Sequence, residues 1–158
     1  MLSNNVVIVA AKRTPIGSFM GQFSQIPAPN LGAQVIQAII QELQTSVSCE
    51  MISEVIMGCV LSAGMGQAPA RQASLFAGLP ESVGALTINK VCGSGLKSVM
   101  LATDLLNAKS AEIVIAGGME SMSQAPYLLP KARVGMRMGH GEVQDHMFKD
   151  GLENAYDG

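Results

Sequence analysis

The first apolar block, Val6-Val7-Ile8-Val9-Ala10, is short, β-branched and uninterrupted, the pattern of a strand buried on both faces. A stretch rich in Gly and Pro follows from Thr14 to Pro29 and reads as a loop. Asn30 then stands where a helix cap belongs, and Leu31, Val35, Ile39 and Leu43 recur every four positions behind it, predicting an amphipathic helix. Glu54 to Leu61 predicts a second strand, and Ala68 to Ala77 a short helix stopped by Gly78 and Pro80. Ala85 to Val91 predicts a third strand. Gly93 to Ala108 predicts a helix with Leu96, Val99, Met100 and Thr103 along one side, and Glu112 to Ala116 a fourth strand broken by Gly117-Gly118.

Strands alternating with helices, joined by right-handed crossovers, give an α/β fold with helices layered around a mostly parallel sheet. Beyond Met119 the alternation lapses. Ser121 to Gly158 is rich in Met, Gly, His and charge, holds no sustained period, and predicts loops with a hairpin around Arg133 to Val143. The chain therefore divides into an α/β core over 1–119 and a loop-rich segment over 120–158. So long an aperiodic stretch at a terminus is unusual for a complete compact domain, and the expectation is a chain that stops inside an excursion from its core.

Composition narrows the function classes. Of 158 residues, 48% are hydrophobic and 14% charged, which fits a folded chain and excludes a disordered one. The net charge of −2 and the absence of Trp and of any basic stripe leave no case for nucleic acid or an anionic membrane as partner. Val6 to Ala11 is too short for a signal core or a membrane span, and Arg is too sparse for a transit peptide, so a cytoplasmic location is the default expectation. Cys49, Cys59 and Cys92 have no metal-like spacing, and with two histidines the chain predicts free thiols, not a metal centre.

The candidate chemistry lies in Ile88-Asn-Lys-Val-Cys92-Gly-Ser-Gly-Leu-Lys97. A strand runs directly into Cys92, and small residues then open a helix. A thiol at a helix N-terminus meets unpaired N–H groups and a dipole that favour negative charge, and the thiolate is the nucleophilic form. Gly93, Ser94 and Gly95 leave room for a substrate near the sulfur, and a sharp strand-to-helix turn displays its central side chain. The plainer alternative is that Cys92 is a small apolar filler, and pattern alone leaves both open. Cys59, inside a predicted strand, fits the filler role; Cys49, in a polar connector, has no assigned role. Gly93-Ser-Gly95-Leu-Lys-Ser98 also approximates a dinucleotide-binding loop with Glu120 as the ribose acid. Its third glycine is a serine, however, and it sits on the wrong βα unit. His140 and His146 are candidates for a general base beside Cys92, but nothing in the sequence aims either ring at the thiol, and exposed loop residues are the expectation. Met119, Met122, Met136, Met138 and Met147 could line an adaptable apolar pocket or contact surface, with gap filling the plainer expectation; Lys131, Arg133 and Arg137 could attract a phosphorylated ligand, with a solvated basic loop the plainer expectation.

Several motifs together resemble the thiolase family. Asn89-Lys-Val-Cys92-Gly-Ser-Gly-Leu-Lys is similar to the family's cysteine signature. Arg13-Thr-Pro-Ile-Gly-Ser-Phe19, Gly66-Gln-Ala-Pro-Ala-Arg-Gln72, Gly117-Gly-Met-Glu-Ser-Met-Ser123 and Asp150-Gly-Leu152 match further landmarks in register. The resemblance implies a thiolase fold, whose full-length chain has two similar βαβαβαββ halves and a loop domain inserted in the first. This sequence corresponds to the first four strands and part of that loop domain. It implies that Cys92 takes an acyl group from acyl-CoA as a thioester. A histidine and a second cysteine of the other half activate it and remove the α-proton of acetyl-CoA, and this chain alone is expected to turn over almost nothing. Leu152 matches a position near the pantetheine and acyl pocket. The cysteine segment is most similar to the acetyl-CoA acetyltransferase subgroup, which condenses two acetyl-CoA to acetoacetyl-CoA or runs the reverse thiolysis. Longer-chain 3-ketoacyl-CoA thiolases are the alternative within the family, and an inert fragment with a binding or assembly role the alternative outside it. No cofactor is implied beyond coenzyme A thioesters as substrates. The full-length form is implied to be a homodimer or homotetramer, the strand matching Ala85 to Val91 pairing across a twofold axis and Arg133 to Val143 projecting as an assembly loop.

Overall fold

The run Val55-Ile56-Met57 contains no polar position, and such a strand is stable only when both of its faces are covered. The computed structural model describes residues 5–157 and supplies that cover. Residues 1–4 and Gly158, the outer limits of the two expected segments, lie outside the described residues. The core elements in chain order are α1 (Ala28–Leu43), β1 (Glu54–Gly58), α2 (Pro69–Phe76), β2 (Gly84–Ile88), α3 (Ser94–Asn107) and β3 (Val114–Gly118). The three strands are parallel in the order β2-β1-β3, with Val55 of central β1 paired to Ala85 on one side and Ile115 on the other. The chain moves outward from β1 to β2 through α2 and back across β1 to β3 through α3. Right-handed crossovers therefore put α2 and α3 on opposite faces.

Side-chain alternation along β1 agrees. Val55, Met57 and Cys59 join Ile36, Ala70 and Ala73 in one buried cluster under α1 and α2. Ile56 is buried outside that cluster, and Gly58 lies directly against the start of α3. The α/β class with layered helices is thus the observed one.

Local details depart from the pattern reading. Val6 to Ala10 forms no strand: Ile8 is 80% exposed, because no strand among the described residues pairs with the run and its β-branched side chains find only partial cover. Helix α1 starts at Ala28 after an extended Pro27, with Pro29 in its first turn, where a missing N–H is tolerated. Asn30 is inside the helix and is not its cap. The deepest stripe of α1 is Gly32, Ala33 and Ile36, while Leu31, Val35 and Ile39 lie half-buried beside it. Close packing selects that stripe, since a β-carbon on Gly32 would stand 2.7 Å from Met119 Sδ and 3.3 Å from Ala73 Cβ.

Helix α3 reverses the expected polarity. It buries Ser94, Ser98 and Ala102, and its apolar side faces outward, Leu96 being 70% exposed. The third strand ends at Ile88, and Gly117-Gly118 complete β3 instead of breaking it. Beyond the core, β4 (Tyr127–Leu128) pairs antiparallel with β5 (Gln144–Asp145). Arg133 to Val143, expected as a hairpin, lies within the loop that this short ladder closes.

Candidate active site

The carboxyl ends of β1 and β3 finish in glycine, and the first turn of α3 rests on their bare backbones. A β-carbon on Gly58 would lie 2.6 Å from Ser94 C and Cβ, and one on Gly118 would lie 3.2 Å from Gly95 Cα. This close approach sets the height of α3 above the sheet and hence the position of the turn that precedes it. Open α/β sheets bind ligands at this end of their strands.

That turn is strained. Val91 has φ +48°, a left-handed conformation that β-branched residues rarely adopt, at a cost of roughly 1–3 kcal/mol. Ser94 holds it closed: its buried Oγ accepts from Lys90 N at 2.7 Å and donates to Val91 O at 2.6 Å. Asn89 Oδ1 accepts from Val91 N at 2.8 Å, and Gly93 N donates to Lys90 O at 3.1 Å. Cys92 sits at the crest, exposed, one residue before the helix N-cap Gly93. The serine bridge left no local signal, because its partners become neighbours only once the chain has bent. Asn89 was the readable clue, since an Asn side chain commonly bonds backbone two residues on.

Cys92 borders a cavity of about 420 Å³ that also meets Cys59, Leu61, Met119, Glu120 and Leu152. Cys92 and Leu152, the two candidate site residues, are therefore brought to one cavity from opposite ends of the chain. Leu152 ends a single π-turn, Phe148–Leu152, closed by Glu153 N donating to Phe148 O at 2.8 Å. Gly151 of that turn packs on Leu61; a β-carbon there would stand 3.2 Å from Leu61 Cδ2.

The other cysteine of the cavity has a different environment. Cys59 is 3% exposed, and burial first, then the charge and hydrogen bond of Glu120, push its thiol up to about 12. Its Sγ lies 3.6 Å from Glu120 Oε1. Cys59 therefore stays a protonated wall residue, as its place inside an apolar strand predicted. Cys49 is half-buried against the main cluster.

Glu120 is fully engaged: its carboxylate accepts from Val60 N at 2.8 Å and Leu61 N at 3.2 Å. Ser98 Oγ lies 2.6 Å from Gly95 O and 2.8 Å from Gly117 O, filling the space that the third glycine of a dinucleotide loop leaves open. Neither residue is arranged for a nucleotide. Met119 and Met122 border the cavity, whereas Met136 and Met138 are exposed. His140, Lys131, Arg133 and Arg137 are exposed as expected. His146 is not: it is 5% exposed, because Asp150 and the backbone of Ala63 satisfy both of its ring nitrogens. Among the described residues no group of three or more His, Cys, Asp or Glu side chains gathers where it could hold a metal ion, and no helix is long and apolar enough to cross a membrane.

A parallel sheet that displays a cysteine from a strained strand-to-helix turn at its carboxyl edge has the layout of the cysteine-nucleophile α/β proteins. Residues 6–158 match the thiolase N-terminal domain family, and the chain belongs to that family. It is 57% identical over 152 residues to the acetyl-CoA acetyltransferase of Cupriavidus necator and 53% identical over 152 residues to that of Pseudomonas aeruginosa. Each alignment takes in 96% of this chain and 38% of the relative. Against the acetyl-CoA acetyltransferase of Schizosaccharomyces pombe the identity is 48% over 158 residues, covering 100% of this chain and 40% of the relative. The chain thus spans well under half the length of these curated relatives.

Proposed function

We propose that Cys92 is the acyl-accepting nucleophile of a thiolase reaction, taking an acetyl group from acetyl-CoA as a thioester. In the synthetic direction that group passes to a second acetyl-CoA, giving acetoacetyl-CoA and free coenzyme A; thiolysis is the reverse. The observation that carries this reading is the exposed thiol on the strained Val91 turn, facing a cavity large enough for an acyl group and its thioester arm. The similar proteins are acetyl-CoA acetyltransferases, which supports an acetyl-sized substrate. The backbone N–H of Cys92 is the donor proposed for a developing oxyanion, since the N–H groups of Ser94 and Lys97 in the first turn of α3 already donate to Val91 O and Gly93 O. Leu152 contributes apolar wall beside the acyl chain.

The step proposed for this chain is acyl capture. His146 is occupied by Asp150 and Ala63 and does not border the cavity, so it is not the base for Cys92. The proposed assembly is a homodimer or homotetramer, for which β2, at the edge of the sheet, offers an unpaired side.

Incubating the protein, at its full natural length, with acetyl-CoA and mapping the product by intact-mass and peptide analysis tests the reading. An acetyl adduct on Cys92 that disappears in Cys92→Ser supports it. A folded protein that takes up no acyl group at Cys92 refutes it and leaves a binding or assembly role in its place.

A further inference from the structure

The turn that brings Leu152 to the cavity has few anchors of its own, being two residues from the last described strand and a single π-turn in length. Besides the packing of Gly151 on Leu61, its polar fixation on the core runs through His146. The backbone N–H of His146 donates to Pro126 O at 3.2 Å, tying it to the β4 side of the short ladder. Its Nδ1 lies 2.6 Å from Asp150 Oδ2, within the turn, and its Nε2 lies 3.4 Å from the backbone N of Ala63, on the loop that follows β1. The Ala63 N–H is a donor, so Nε2 must offer its lone pair, and the ring proton must sit on Nδ1, where it donates to Asp150. The ring is thus a neutral two-ended link between the turn carrying Gly151 and Leu152 and the loop carrying Leu61. Glu120 grips the same loop from its other side through Val60 N and Leu61 N.

We infer that His146, held in one tautomer by Asp150, is a positioning residue that fixes the Leu61 and Leu152 walls of the acyl cavity relative to each other. It touches neither the substrate nor Cys92, and it acts through the spacing of those two walls. The inference rests on the reading of Cys92 as nucleophile. An alanine at 146 removes both ends of the link, frees the π-turn from the 60–63 loop, and widens the slot that an acyl chain must fill.

The experiment measures the rate of Cys92 acylation against acetyl-CoA concentration in the full-length protein, for the wild type, His146→Ala, His146→Gln and Asp150→Asn. In His146→Ala, which loses both side-chain hydrogen bonds, the half-saturating acetyl-CoA concentration is expected to rise about five- to tenfold, with the limiting rate within about threefold. His146→Gln, whose amide oxygen reaches the place of Nε2, is expected to recover most of the affinity, and Asp150→Asn to fall between. Should the alanine variant fail to fold, the Gln and Asn variants carry the same comparison. Unchanged half-saturation in the folded variants, or a fall in limiting rate at unchanged half-saturation, overturns the inference. A wild type that takes no acyl group refutes the nucleophile reading instead, so the two failures are distinct.

Discussion

Replacing Gly58 by alanine adds one methyl group at the point where the sheet meets α3, and the consequences follow from distances. The new β-carbon would lie 2.6 Å from Ser94 C and Cβ and 2.7 Å from Gly95 N. These are helix backbone and the root of a buried side chain, with no flexible end to swing away. Ordinary contact begins at 3.4 Å, so the first turn of α3 must retreat by about 0.8 Å. Overpacking of this kind costs about 1–3 kcal/mol. The retreat also carries Ser94 away from Lys90 and Val91, and so moves the turn that displays Cys92. A displacement near 1 Å in a reacting group can cost about a hundredfold in rate. The matched control is Gly84→Ala in the neighbouring strand, where the nearest atoms are at 3.5 Å and the same methyl group fits. Chemical denaturation and the rate of acetyl transfer to Cys92 are measured on both variants. Gly58→Ala is expected to lose about 1–3 kcal/mol and ten- to a hundredfold in acylation, while Gly84→Ala stays within about 0.5 kcal/mol and twofold of the parent. If Gly58→Ala matches the control in both readouts, the claim that bare backbone sets the height of Cys92 is refuted.

Ser94→Ala removes the hydroxyl that bridges Lys90 N and Val91 O, leaving the left-handed Val91 without its clamp. The expected loss is about 1–3 kcal/mol in denaturant unfolding with slower acylation, and a fully active, fully stable variant would show that the turn holds itself. Cys59 gives a pH dependence whose sign is fixed by its environment: the folded protein raises the thiol from 9.0 to about 12, so the unfolded chain releases the proton first. Stability is therefore intact below pH 9 and declines by roughly 1.4 kcal/mol per pH unit as the pH climbs toward 12. Unfolding curves of wild type and Cys59→Ala above pH 9 check this, since the variant should lack that slope; equal slopes would show that Cys59 is not its source.

Much of the fold was legible because burial leaves a period in the sequence. The unbroken apolar centre of β1, the Gly78-Pro80 stop after α2, and the strand ahead of Cys92 all carry a local signature and each element formed, although β1 and β2 end at Gly58 and Ile88, short of the expected Leu61 and Val91. The misreadings share another cause. The faces of α1 and α3 were read from their largest apolar residues, yet the sides that pack most closely hold Gly32 and Ala33 in one and Ser94 and Ser98 in the other. Small residues win where backbones must approach within contact distance, and hydrophobicity does not record that demand. Val6 to Ala10 shows the converse: apolar pattern states a need for burial, and only a partner with matching backbone groups turns it into a strand. The burial of His146 was beyond reach for a similar reason, because a polar ring becomes a core residue only when Asp150 and Ala63 arrive on either side of it.

The cavity contains two cysteines of the same intrinsic chemistry, and the environment alone separates them. Cys59 lies within the sheet-side wall, in contact with a carboxylate whose negative charge opposes ionisation, and it is thereby held as an inert thiol. Cys92 is lifted clear of the wall by a strained turn and stands exposed just before the N-cap of α3. Glu120 serves both outcomes: the carboxylate that suppresses Cys59 also ties down the backbone of Val60 and Leu61, the wall that faces Cys92. A neutral glutamine at 120 would therefore lose wall rigidity and relax the restraint on Cys59 together. A single carboxylate thus fixes the wall and keeps the buried thiol beside it protonated, and only the exposed sulfur is left open to the cavity.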